Sequence, residues 1–239
     1  MAGVEIVAHR GANNVAPENT LAAARFCVER GAEWLEVDVR TSRDGVLYNM
    51  HDRNLERTTG GAEKRALSGL TSHEIDSLDA GGWFSAQFSG ERIPRIETIL
   101  SELAGRIKFY FDVKDARLEK LIDLVHRFGI EDESFFWFWN PLLAYRFHRL
   151  APRLRLKINA ATPAGVRRAR RRYRADIIEC SAGALTERMV STCHEGGMRL
   201  MVLFSEDDPQ GFRRAIEVGV DMVNVDHVDA FRRVRETFG

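Results

Sequence analysis

Eight short runs rich in β-branched and aromatic residues, at 4–8, 34–39, 107–113, 134–139, 154–158, 176–179, 199–204 and 221–225, alternate with longer amphipathic stretches along this chain. Repeated βα units of this kind place their strands in parallel, because a right-handed crossover through a helix returns the chain in the same direction. Eight of them in 239 residues match the count and length of a closed (β/α)8 TIM barrel better than an open sheet. A hydrophobic content of 44% supplies enough apolar material for such a core. Helix signals agree: Asn19 and Thr20 offer N-caps before LAAARFCVERG, Gly31 stands at its C-terminal stop, and Gly129, Gly196 and Gly219 punctuate later units.

One interval breaks the rhythm. Residues 53–94 are too many for a βα connection and are rich in Gly, Ser and Thr, so they are read as a small insertion after the second strand, folded over the barrel mouth. Its aromatics Trp83, Phe84 and Phe88 are expected to pack down or to touch substrate, packing being the commoner role. With no fixed-period repeat, linker or composition break, residues 1–239 are expected to form a single domain.

Basic and acidic residues both number 35, so no global field draws the chain to nucleic acid or to an acidic membrane. The arginine-rich run at 167–174 spreads around a helix and reads as a solvated outer face rather than a polyanion site. No apolar stretch reaches about 18 residues, and no stable membrane association is expected. Cys27, Cys180 and Cys193 form no CxxC pair, and the start MAGVEIVAHRG has no leader pattern; both features suit a cytoplasmic protein.

In α/β barrels the chemistry gathers at the C-terminal ends of the strands. Strand one ends in His9-Arg10-Gly11, strand two carries Glu36 and Asp38, a short excursion at 46–50 leads to His51-Asp52, and strand three ends in Asp112 and Lys114. Strand alternation puts Glu36 and Asp38 on one face, opposite to Leu35 and Val37. Two carboxylates sharing a small volume call for a proton or a cation, and an all-oxygen set completed by Asp112 favours a hard divalent ion, Mg2+ or Ca2+. The same acids would equally serve in salt bridges with Arg10, Arg40 and Lys114 at the barrel mouth. His9 and His51, at strand ends beside charged partners, favour chemistry, since two imidazoles can supply an acid and a base at neutral pH. The other histidines weighed, His73, His126, His148 and His194, read as structural. Arg10, through its planar fork, and Lys114, as a point charge, suit an anionic substrate.

Residues 9–60 resemble the signature of the glycerophosphodiester phosphodiesterase family nearly end to end, with His9-Arg10-Gly11, Pro17-Glu18-Asn19-Thr20, Glu36-x-Asp38, Asp44-Gly45, His51-Asp52 and Arg57-Thr58-Thr59-Gly60 in order. The following LDAGGWFSAQFSGERIPRIETIL is similar to the family's insertion and its return to the second helix. The resemblance implies His9 and His51 as the acid and base, in unspecified order, Glu36 and Asp38 with Asp112 around a divalent cation, and Arg10 on the phosphate of a small glycerophosphodiester. It further implies release of an alcohol and glycerol 3-phosphate. Two departures stand out. The family's Glu-x-Lys is here Asp112-Val113-Lys114, a shorter carboxylate, and its Trp-Thr-Val-Asn is replaced by Phe204-Ser205-Glu206-Asp207, where Phe204 would be the substrate-facing aromatic. They keep two alternatives in view: a phospholipase-D-like enzyme acting on lipid diesters, and a non-catalytic phosphodiester-binding protein.

Overall fold

A computed structural model describes residues 3–238. Its strands are β1 (Glu5–Ala8), β2 (Trp34–Thr41), β3 (Leu47–Asn49), β4 (Lys108–Val113), β5 (Ser134–Phe138), β6 (Arg155–Asn159), β7 (Ile177–Ser181), β8 (Arg199–Phe204) and β9 (Met222–Val225). The helices are α1 (Leu21–Glu29), α2 (Ser72–Asp76), α3 (Ile96–Leu103), α4 (Leu118–Phe128), α5 (Pro141–Leu150), α6 (Pro163–Tyr173), α7 (Glu187–Glu195), α8 (Pro209–Glu217) and α9 (Val228–Glu236). Every strand but β3 lies parallel to its neighbours, and the ring closes where β1 pairs with both β9 and β2. The architecture is the (β/α)8 barrel that the eight runs imply. The excursion after β2 forms β3, antiparallel to β2 with Val39 opposite Asn49, and stands outside the ring.

Alternation sorts the side chains into two cores. Leu35, Val37 and Val39 face the helix layer with Ile99, Leu100 and Leu121, whereas Val7, Trp34, Tyr110, Phe135, Ile177, Met201 and Met222 fill the barrel interior. Tyr110 stacks on Phe135 at 4.6 Å, and Trp34 meets the same ring edge-on at 4.9 Å. This aromatic plug makes the interior a packed core rather than a pore, so polar chemistry is confined to the layer above it. Below it Glu5 accepts from the Trp34 indole at 2.9 Å and pairs with Arg199 at 2.6 Å, which closes the opposite end.

The segment 53–94 builds its own small cluster around Tyr48, Met50, Leu55, Leu70, Ile75 and Ile93. A capping box between Thr71 and Glu74 starts α2, and the Tyr48 hydroxyl donates to Asp76 at 2.7 Å. Trp83, Phe84 and Phe88 pack edge to face on one another at 5.8 and 5.7 Å, beside the Arg57 guanidinium. Gly81 is obligatory in this fold, because a Cβ there would lie 2.0 Å from the Phe88 carbonyl oxygen. The arginines of α6 point to solvent while Val166 and Ala169 face inward. Among the described residues no helix is long and apolar enough to cross a membrane.

Candidate active site

The parallel register builds the site. Pairing of β2 with β4 sets Asp38 directly beside Asp112, and Glu36 stands one inward position below Asp38. All three carboxylates are buried, and one oxygen from each lies within 4.8 Å of the others. The turn after β1 then brings in the first histidine. Arg10 adopts φ 55° and Gly11 φ 86°, with no room for a Cβ on Gly11 beside Ala23. Left-handed backbone at a non-glycine residue costs about 1 kcal/mol or more, so the surrounding structure must hold it in place. Asn19, also left-handed at φ 58°, does not cap α1; Thr20 does so, accepting from Ala23 N at 3.2 Å. Asn19 instead donates to Asp38 at 2.9 Å.

Each histidine is held at Nδ1 by its own carboxylate, His9 by Asp226 at 2.6 Å and His51 by Asp52 at 2.9 Å, which leaves both Nε2 atoms for the mouth. Arg57 fixes the second pair, donating to Asp52 at 2.8 Å and bidentately to Glu18 at 2.7 and 2.8 Å. Lys114 donates to Asp112 at 2.7 Å and lies 3.1 Å from Asp38. Arg10 donates to Glu18 at 3.2 Å and stands 3.9 Å from Asp38. The cationic groups are thus balanced against the acids, as the salt-bridge reading requires, yet the balance is incomplete. Among the described residues, Asp112 Oδ1, Asn19 Oδ1, Asn224 Oδ1 and Arg10 Nε are buried here without a hydrogen-bond partner, and Asp38 Oδ1 has only the Lys114 ammonium at 3.1 Å. Orphaned buried polar atoms are costly, and their concentration here in a carboxylate cluster fits a hard cation bound by oxygen.

The electrostatics separate the groups by task. Burial opposes charge on His9, but the Glu36 carboxylate and the bond to Asp226 outweigh it and raise its pKa to about 9. Burial lowers His51 below its ordinary value, although Asp38 and Asp52 resist. Burial together with Asp38 and Asp112 pushes Glu36 up to about 7, and burial with Asp38 takes Asp112 to about 6. Asp38 is lowered despite its burial, because Lys114, His51 and Asn19 favour its charge.

A carboxyl group raised in the folded state binds more protons there than in the unfolded chain, so its contribution to stability is present below its unfolded pKa and lost as pH rises through the folded value. Glu36 therefore strains the metal-free protein increasingly between about pH 4.5 and 7. Glu36→Gln is expected to stabilise metal-free protein at pH 8 by on the order of 3 kcal/mol, a rise of several degrees in Tm, with the advantage gone near pH 4.5. Thermal denaturation in chelator at the two pH values measures it; an equal or lower Tm for the variant at pH 8 would show that Glu36 is not under strain.

Of the residues singled out from the sequence, His9, Arg10, Glu36, Asp38, His51, Asp112 and Lys114 converge at the mouth. Phe204 does not: it is 4% exposed and packs on Phe212 at 5.1 Å in the helix layer, because Met201 and not Val202 faces the interior and Leu203 is the residue of β8 that lines the mouth. Sequence reasoning missed Asn19, Asn224 and a buried ion pair. Lys157, 1% exposed, donates to Glu179 at 2.5 Å between the rings of Tyr110 and Trp137, and Asn224 bridges Glu179 to Glu36, at 3.4 and 2.8 Å. Their inward strand positions were the available signal.

The model of the glycerophosphoryl diester phosphodiesterase family matches residues 9–230. The chain belongs to that family. A glycerophosphodiester phosphodiesterase of Caldanaerobacter subterraneus is 30% identical over 243 residues, which span 92% of this chain and 93% of the relative. The crystal structure of a glycerophosphodiester phosphodiesterase from Agrobacterium tumefaciens superposes with TM-score 0.89 at 35% identity, covering 96% of this chain and 99% of that one. An Oleispira antarctica phosphodiesterase, solved in complex with the product sn-glycerol-3-phosphate, shares the fold with TM-score 0.88 at 22% identity over 98% and 97% of the two chains. The match of this family of enzymes spans both histidines and all three clustered carboxylates, from the residue after β1 into α9.

Proposed function

We propose that this chain hydrolyses small glycerophosphodiesters to an alcohol and glycerol 3-phosphate, using His9 and His51 as general acid and base beside a divalent cation. The observation that carries the reading is the pair of imidazoles, each tied at Nδ1 to a carboxylate and each next to a different acid of the trio, His9 near Glu36 and His51 near Asp38. Family membership supports the substrate class.

Glu36, Asp38 and Asp112 would hold the cation, and their oxygen-only donors favour Mg2+ or Ca2+. When bound, it supplies a fixed positive charge opposite the phosphoryl oxygens. Arg10, with its unpartnered Nε, and Lys114 orient the phosphate. His51, neutral near pH 7 and donating Nδ1–H to Asp52, presents the Nε2 lone pair and takes the proton of the attacking hydroxyl. His9, charged and donating Nδ1–H to Asp226, gives its Nε2 proton to the leaving alcohol oxygen. The attacking hydroxyl is that of water, which gives glycerol 3-phosphate directly, or the substrate's own glycerol hydroxyl, which gives a cyclic phosphate that water then opens; in both, the new phosphorus–oxygen bond forms as the bond from phosphorus to the leaving alcohol oxygen breaks. With Glu36 neutralised by a cation, Asp226 remains to hold His9 in its charged form.

Phosphorus NMR of the products of glycerophosphocholine and glycerophosphoethanolamine tests this assignment. Glycerol 3-phosphate as the phosphorus-containing product is expected from both; phosphocholine or phosphoethanolamine would place the cleaved bond on the wrong side and refute it.

A further inference from the structure

The barrel mouth has two unlike halves. Strands β1, β2, β4 and β9 end in His9, Glu36, Asp38, Asp112, Lys114 and Asp226. Strands β5 to β8 carry Trp137, Asn159, Ser181 and Leu203 at or beside their ends, the pair Lys157 and Glu179 is buried and mutually neutralised, and the remaining acids of this half, Glu206, Asp207 and Asp208, stand in the loop after β8. A cavity of about 400 Å³ on β6 to β8 is walled by Ala160, Ala161, Cys180, Ser181 and Leu203 together with Asn159 and Glu179.

From the charged half an aromatic path leads outward. The Lys114 ammonium lies 5.6 Å from the Trp137 ring, and Trp137 meets Trp139 edge-on at 6.0 Å. Trp139 is 74% exposed, and beyond it on α5 stand Leu142 at 75% and Tyr145 at 53%. Leu142 and Tyr145 are spaced by three within α5 and share a face, and Trp139 precedes the helix by two residues. Trp139 is joined through Trp137 to Lys114, and with Leu142 and Tyr145 exposed within six residues of it the three are not a scatter of single surface residues.

We infer that Trp139 and Leu142 form the outer wall of a leaving-alcohol subsite for an unbranched alkyl chain, so that the enzyme prefers glycerophosphodiesters whose alcohol carries one. The inference rests on the hydrolytic reading above. The glyceryl half of such a diester is a polar diol and belongs with the charged groups. The alcohol is the half that gains by lying over Trp137 and Trp139. The occupant is a single dispersed substrate molecule, not a bilayer surface, because the path starts inside the site at Lys114 and Trp137.

The test uses glycerophospho-n-alkanols from methyl to octyl, all below their micellar concentrations. Full burial of a methylene is worth roughly fourfold in affinity, so four of them buried by about half should give on the order of 16-fold, and KM for the octyl ester is expected to be at least tenfold below that for the butyl ester. In Trp139→Ala/Leu142→Ser this gain is expected to fall to less than threefold, with kcat/KM for the methyl ester within twofold of wild type. Calorimetric binding of the same series to His9→Ala/His51→Ala protein separates this inference from the reading beneath it. Chain-dependent binding without turnover in the wild type would sink the hydrolytic reading alone. Turnover with equal KM from butyl to octyl would sink the subsite, as would an equal loss on every ester in the wall variant. Loss of binding to phosphatidylcholine vesicles in the wall variant, with no chain dependence in solution, would assign the patch to a membrane surface and overturn the proposal.

Discussion

Replacing either His9 or His51 by alanine is expected to lower kcat on a glycerophosphodiester by about 10²–10⁴-fold, the span observed for loss of a positioned acid or base. The double variant is expected to be little worse than the worse single one, since the two act as a unit on one transition state. The pH profile identifies which does what. A base must be deprotonated to act, so activity rises with pH through the depressed pKa of His51. An acid must be protonated, so activity falls as pH passes the raised pKa of His9, about 9 in the metal-free protein and lower once a cation neutralises Glu36. Asp226 helps to hold His9 charged and Asp52 does the same for His51, so Asp226→Asn should move the alkaline limb to lower pH and Asp52→Asn the acidic limb to lower pH. If both variants shifted the same limb, or neither shifted one, the assignment of acid and base would fail.

Stripping divalent cations is expected to cost several kcal/mol of transition-state stabilisation, on the order of 10³-fold or more in rate, and Asp38→Asn should do the same in the presence of excess cation. The linkage to protons is the more telling signature. In the metal-free site Glu36 and Asp112 hold their protons up to about pH 7 and 6, because burial and mutual repulsion disfavour their charge. A cation must displace those protons, so affinity should drop by about tenfold per pH unit for each proton displaced as pH falls below these values. Calorimetry at pH 6 in buffers of different ionisation enthalpy reads the proton release directly. Binding that releases no protons at pH 6 and is as tight at pH 5 as at pH 8 would place the cation elsewhere than on Glu36 and Asp112.

Much of this is legible in the sequence. The eight runs place the strands within a residue or two, since most are bounded by charged or turn-forming residues, as 34–39 is by Glu33 and Arg40. Glu36 and Asp38 announced their face because they are polar inside an otherwise apolar run. Phe204 was not legible for the converse reason. The run RLMVLF of β8 is apolar on both faces after its arginine, as strands of a parallel barrel are. Its phase is set by the register with β9, in which Leu203 faces Asn224, and spacing alone does not reveal that. Asn19 reads as a helix cap from its neighbours, yet its left-handed backbone turns the amide to Asp38. The Lys157 to Glu179 pair and the bridging Asn224 come from three different strands, β6, β7 and β9, and only the closed ring assembles them.

The central claim is that a carboxylate-held cation and two oppositely tuned histidines act together on a glycerophosphodiester. Its most direct test is glycerol 3-phosphate release from chelator-stripped enzyme with Mg2+ or Ca2+ restored, beside His9→Ala and His51→Ala. Release that appears only with the cation and only with both histidines is the predicted result; release undiminished by chelation, or sustained in either variant, would contradict it.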